Sequence, residues 1–252
     1  MIVLETVAVA FAMFSAIPMP QFVWNGRNMR YALCAFPLVG LVIGGVNILW
    51  AQLCSAFLLP PVLRGAVLCL LPVFITGGIH LDGYADTWDA RASHSSPERR
   101  QEVMKDPHLG AFAAIHIACY LLLGFALWTA LKTYYDFIFA LSFCLSRALS
   151  GLAVASFPMA KNTGLAHTFA DAADKKRVSA VLTLLAAALI VVMALCNICG
   201  AAMAATALIV FPRYYFLAKN QFGGISGDLA GWFLQTCELS MLAAAVAVQY
   251  IF

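Results

Sequence analysis

Tyr31–Leu59, YALCAFPLVGLVIGGVNILWAQLCSAFLL, runs for 29 residues without one Asp, Glu, Lys or Arg. A helix crossing the hydrocarbon core of a bilayer needs about 20 apolar residues, so this stretch reads as a membrane span. Pro60-Pro61 close it, because proline cannot continue the helical hydrogen-bond ladder. The rest of the 252-residue chain has the same character. It is 63% hydrophobic and 11% charged, with a mean hydropathy of +0.88. A soluble domain carries roughly 25% charged residues, so the composition points instead to a polytopic membrane protein.

Outward from that stretch, the candidate spans are Ile2–Ile17, Tyr31–Leu59, Gly65–Ile79, Gly110–Leu131, Tyr134–Phe157, Val178–Asn197, Gly200–Ala218 and Gly231–Phe252. The first and third are short, so six to eight transmembrane helices are expected. They form one all-α membrane domain over residues 1–252, with long loops at 80–109 and 158–177. Loops longer than about 15 residues are usually functional or disordered, and neither is of low complexity, so both read as functional. Cys196 and Cys199 form a lone CxxC. No second ligand pair accompanies it, so it reads as packing inside apolar runs rather than as a zinc site.

With eight spans, twelve basic residues fall on one side, among them Arg91, Arg99, Arg100, Lys105, Lys161 and Lys175. Only Arg64 and Lys132 fall on the other, and Arg147 lies inside a span. The positive-inside rule makes the richer side cytoplasmic. Both long loops then share the cytoplasmic side, and both termini face out.

Past the third apolar run comes Gly77-Gly78-Ile79-His80-Leu81-Asp82-Gly83-Tyr84-Ala85-Asp86-Thr87-Trp88-Asp89. Asp82, Asp86 and Asp89 share one helical face at i, i+4, i+7. Like charges this close repel unless a cation sits among them, and oxygen-only ligands suit a hard ion, Mg²⁺ first. Asp228, after the glycine-rich Gly223–Gly227, is a fourth candidate ligand. His80 adjoins the cluster as a general base or a hydrogen-bonding support. Ser95 or Ser96 before Pro97-Glu98 marks a short helix start, and the arginines that follow are suited to gripping phosphate. Lys105-Asp106 directly precede the next span beside the cluster. Arg147, inside the bilayer, requires a carboxylate or an anionic ligand, and Glu238 in the last span is a possible partner.

Residues 77–89, followed by Met104-Lys105-Asp106 and Leu109-Gly110, resemble the signature of the cobalamin synthase family, the adenosylcobinamide-GDP ribazoletransferases. Ile17-Pro18-Met19-Pro20, Phe36-Pro37-Leu38-Val39-Gly40, Ser146-Arg147, and Gly224-Ile225-Ser226-Gly227-Asp228 with Glu238 follow in the family's order. The resemblance implies a Mg²⁺-dependent phosphotransferase of the cell (inner) membrane. A ribose hydroxyl of α-ribazole, or of its 5′-phosphate, would attack the cobinamide-side phosphorus of adenosylcobinamide-GDP, releasing GMP. Asp82, Asp86, Asp89 and Asp228 would hold Mg²⁺. Lys105 and Arg147 would contact phosphate beside Asp106, and His80 or an aspartate would take the proton. Other cobamide-assembly enzymes would be its protein partners, and nucleic acid would not be one. The sequence departs from the pattern at Ala16, where Arg is common, at Pro107-His108 in place of Ser-Arg, at Ala90-Arg91 and at Ala166. Two other readings are a CDP-alcohol phosphotransferase, whose aspartates are spaced differently, and a cation transporter, whose acids would lie mid-span on facing helices.

Overall fold

Proline, glycine and short polar caps set the helix ends along this chain. The computed structural model describes residues 2–132 and 136–251. It contains α1 (Ile2–Phe14), α2 (Ala32–Ala56), α3 (Pro61–Thr76), α4 (Ile79–Ala92), α5 (Pro97–Val103) and α6 (Ala111–Ala130). These are followed by α7 (Asp136–Ser156), α8 (Leu165–Ala172), α9 (Lys175–Cys196), α10 (Ile198–Phe222) and α11 (Gly227–Ile251). Among the described residues the only extended pairing is an isolated bridge between Met159 and Ile225. A helix meets every backbone N–H and C=O within its own segment, which is what a spanning element in lipid requires.

Six helices are long and apolar enough to cross a bilayer, namely α2, α6, α7, α9, α10 and α11, so the protein is a multi-pass membrane bundle. α1, with 13 residues, is too short to be counted with them. The expected span ends at Tyr134 and Phe252 lie outside the described residues.

The third expected span, Gly65–Ile79, takes the form of a bent helix pair that counts as a seventh span when taken together. α3 stops at Thr76, the axis turns through 94°, and α4 begins at Ile79. Gly77 and Gly78 make that corner with φ of 65° and 80°, a left-handed conformation that glycine alone adopts without strain. α4 carries Asp82, Asp86, Asp89 and Arg91 within 14 residues, so it is the polar arm of the bent pair. Residues 80–109 are therefore not one long loop but hold α4 and α5. Ser96 caps α5 by accepting from Arg99 N at 3.4 Å, as the sequence indicated. Residues 158–177 likewise contain α8. Arg213 and Lys219 belong to α10, not to a loop after it.

α7 and α11 are the most enclosed spans, and α6 and α9 the most open to lipid. α2 lies along α7 through Gly40 and Gly44. A Cβ on Gly44 would come within 2.5 Å of Ala140 Cα, the close approach that small residues four apart permit in membranes. The buried Arg147 on α7 pairs with Glu238 on α11, and Ser146 Oγ donates to the same carboxylate at 2.8 Å.

Charged segments from distant parts of the chain meet at one end of the bundle. Arg30 binds Asp174 at 2.8 Å, Lys161 Nζ donates to Gln101 O at 3.0 Å, and Arg100 donates to Gln221 O at 3.3 Å. Arg64 sits at the opposite end and donates to Trp128 O (3.3 Å) and Leu131 O (3.0 Å). Those carbonyls close α6, where a cation is favoured by the helix dipole.

Candidate acidic active site

Gly83 determines how the acidic helix reaches its partner. A Cβ there would lie 2.7 Å from Asp228 Cα, and one on Gly231 would lie 2.8 Å from His80 O. α4 and α11 are thus in backbone contact at this crossing, which brings Asp82 and Asp86 beside Asp228 although about 140 residues separate them. Asp86 is half-buried. Burial, and then the charges of Asp82, Asp228 and Asp89, push its carboxyl up to about 7. Asp82, Asp89 and Asp228 therefore all act electrostatically on Asp86, and Asp82 acts on Asp228.

Their individual surroundings differ. Asp89 accepts from Gly110 N at 2.7 Å and from Ala113 N at 2.9 Å, so both its oxygens cap α6. Gly110 leaves room for this, since a Cβ there would collide with the Asp89 carboxylate. Asp82 and Asp228 line a cavity of about 330 Å³. Among the described residues no three His, Cys, Asp or Glu side chains are arranged around one point as metal ligands. The donor chemistry nevertheless suits a hard cation: the cluster offers oxygen only, and Asp82, Asp228 and Asp89 set like charges around Asp86 that a cation would offset.

The cavity is walled by α1, α2, α4, α5, α7, α8, α10 and α11 and by the segments before α6, α8 and α11. His80, Lys105 and Lys161 belong to its lining. Lys161 is held from two sides. Its Nζ donates to Gln101 O, and the preceding residues are clamped to the glycine-rich segment by Ala160 N to Ile225 O (2.9 Å) and Ile225 N to Pro158 O (2.8 Å). Burial and the neighbouring Lys105 lower its pKa, while Asp228 acts the other way. No local sequence signal marks Lys161, because its position depends on this long-range pairing. The same pairing engages the Ile225 N–H within the glycine-rich segment.

Other predicted residues lie elsewhere. Asp106 is exposed, accepts from His108 N at 3.0 Å and sits 2.7 Å from His108 Nδ1. It does not reach the cavity lining. Arg147 is 1% exposed, is bound to Glu238 and is also absent from the lining. The partner anticipated for Glu238 is the one found, and of the two readings of Arg147 the structure supports the ion pair. The imidazole of His80 is buried, with no partner at Nε2 among the described residues. Of the departures from the family pattern, Ala16 faces Gly77 at the corner before α4, and Ala166 lies on the cavity wall.

A multi-pass helical membrane protein that sets carboxylates against lysines in one cavity has the charges to hold phosphorylated substrates by position and electrostatics. The chain belongs to the cobalamin-5-phosphate synthase family, whose model matches residues 6–246. It is 45% identical to the adenosylcobinamide-GDP ribazoletransferase of Lachnoclostridium phytofermentans over 97% of this chain and 94% of that protein. Enzymes of the same name from Clostridium perfringens and a Geobacillus species are 30% and 34% identical over 94% and 86% of the chain. No solved structure matches it.

Proposed function

We propose that this protein transfers the cobinamide phosphate of adenosylcobinamide-GDP to α-ribazole or its 5′-phosphate, releasing GMP and completing the cobamide nucleotide loop. The single observation that carries this reading is the end-to-end likeness to ribazoletransferases. The cavity that combines Asp82 and Asp228 with Lys105 and Lys161 supports it.

In this mechanism a ribose hydroxyl forms the new O–P bond at the cobinamide-side phosphorus. The bond from that phosphorus to the bridging oxygen breaks, and GMP departs with the electron pair. Asp82, Asp86 and Asp228 would hold Mg²⁺, which when bound offsets phosphate charge. Asp89 fixes α4 against the start of α6 and so sets the orientation of the other acids. The Asp82 carboxylate, on the cavity wall, accepts the hydroxyl proton. Lys105 and Lys161 grip the pyrophosphate oxygens, Lys161 in the place that the resemblance implies for Arg147. Little covalent chemistry is asked of the protein; positioning and electrostatics do most of it. The distribution of basic residues supports a site that faces the cytoplasm across the cell membrane. Membership of the family removes the CDP-alcohol phosphotransferase and transporter readings.

The test is GMP release and cobamide formation by membranes containing the full chain, with adenosylcobinamide-GDP, α-ribazole and Mg²⁺. Wild type should form product only with the cation, and Asp82→Asn should form none while remaining in the membrane. Equal turnover by wild type and Asp82→Asn would overturn the assignment of the site.

A further inference from the structure

The cavity has two chemically distinct parts. One is the charged rim of Asp82, Asp228, Lys105 and Lys161. The other is aromatic, built from Phe14, Phe36 and Phe169. Phe14 stacks on Phe36 with ring centroids 4.0 Å apart and sits 5.6 Å from Phe169. The His80 ring lies 5.9 Å from Phe36. These rings come from α1, α2, α4 and α8, four elements distant in sequence, so the wall is a tertiary construction and not the face of one helix. The phosphate chemistry assigned above engages only the rim and leaves the aromatic part without a role.

We propose that this aromatic part is the subsite for the flat base of the nucleoside acceptor, a benzimidazole-type riboside, and that the guanosine of the other substrate stays outside it. The inference rests on the function proposed above and names which of the two nucleosides enters the cavity. The volume of about 330 Å³ falls at the lower end of the roughly 300–1,000 Å³ typical of small-molecule sites. That suits a nucleoside and is too small for a corrin ring with its side chains. Guanine carries a carbonyl, an amino group and a ring N–H, each of which needs a partner when buried. A benzimidazole offers apolar faces and edges with one free ring nitrogen. Among the described residues, His80 Nε2 is the only buried, unpartnered side-chain polar atom that belongs to a residue of the cavity lining. A base bound against Phe14 and Phe169 places its ribose towards the rim, where Asp82 and the phosphate-gripping lysines stand. Base stacking on aromatic side chains supplies affinity without further hydrogen bonds.

The test is calorimetric binding of α-ribazole and, separately, of GMP to the purified full chain in detergent, for wild type, Phe14→Ala and Ala166→Phe. Phe14→Ala removes wall, and Ala166→Phe fills the cavity from the surface helix α8. Both variants should weaken α-ribazole binding about tenfold or more, equivalent to about 1.4 kcal/mol, and leave GMP affinity within twofold. A riboside of imidazole, which has less ring to bury, should be affected less than α-ribazole. Several results would overturn the proposal: no binding of α-ribazole by wild type, GMP affinity falling in step with that of α-ribazole, or α-ribazole binding unchanged in both variants. GMP release by the wild-type membranes is scored independently, so failure of the subsite is distinguishable from failure of the proposed reaction.

Discussion

Replacing Asp86 with Asn removes one charge from the crowded acidic set at nearly constant volume. Asp86 is pushed up to about 7 from an ordinary value of 3.8, by burial first and then by the neighbouring carboxylates, an effect of nominally about 4 kcal/mol. The side chain is only half-buried, and solvent screening brings the effect to about 1–2 kcal/mol. A carboxyl raised on folding favours the folded state at low pH, and that contribution is lost as pH rises from about 4 through about 7. Without a cation, the wild type is therefore strained at pH 8. In EDTA at pH 8, Asp86→Asn should melt about 2–8 °C higher than wild type, and the gain should shrink towards zero by pH 4. Added Mg²⁺ should raise the wild-type midpoint at pH 8 in proportion to the logarithm of its concentration above Kd, and should raise that of the variant far less. Turnover by the variant should fall at least about a hundredfold, as expected when a group that stabilises transition-state charge is removed. The assay is thermal unfolding in detergent followed by intrinsic tryptophan fluorescence. If Asp86→Asn lowers the midpoint in EDTA at pH 8, or if Mg²⁺ raises both proteins equally, the repulsion-and-cation reasoning is refuted.

Other expectations concern packing and phosphate grip. Arg147→Met alone should cost about 3–5 kcal/mol by leaving Glu238 buried and unpaired, and adding Glu238→Met should restore most of that; chemical denaturation of the two variants measures the difference, and retained turnover in the double variant marks the pair as structural. Gly83→Val, whose Cβ would meet the Asp228 backbone at 2.7 Å, should separate α4 from α11, cost about 1–3 kcal/mol and abolish activity more completely than stability. Lys105→Ala and Lys161→Ala should each raise the KM for adenosylcobinamide-GDP about tenfold, as lost charge-assisted contacts do, and leave the KM for α-ribazole nearly unchanged; steady-state kinetics with each substrate varied separates the two.

Most of the bundle was legible because lipid leaves the chain few choices. Uncharged runs such as 31–59 must be helical, and proline and glycine mark where they stop. The acidic face of α4 was legible for a similar reason, since i, i+4, i+7 spacing is a local property. What escaped the sequence depends on long-range contact. The 94° corner at Gly77-Gly78 turned an expected span and loop into a bent pair, and a pair of glycines alone does not specify an angle. Lys161 reaches the cavity only because residues 158–160 pair with Ile225. Asp89 lies on the same helical face as Asp82 and Asp86, yet its oxygens are taken by the N–H groups that begin α6, a partner 21 to 24 residues away. Arg147 was ambiguous in the sequence because a buried arginine signals only the need for an anion; the crossing of α7 with α11 supplies Glu238 and decides it.

The most direct measurement of the proposed chemistry follows a ³²P label in the cobinamide-side phosphate of adenosylcobinamide-GDP, with membranes of the wild-type chain, Mg²⁺ and α-ribazole. Transfer at that phosphorus should leave the label in the completed cobamide and the released GMP unlabelled, with neither product formed by Asp82→Asn. Label leaving with the nucleotide as GDP, or no labelled cobamide from well-inserted protein, would contradict the assignment.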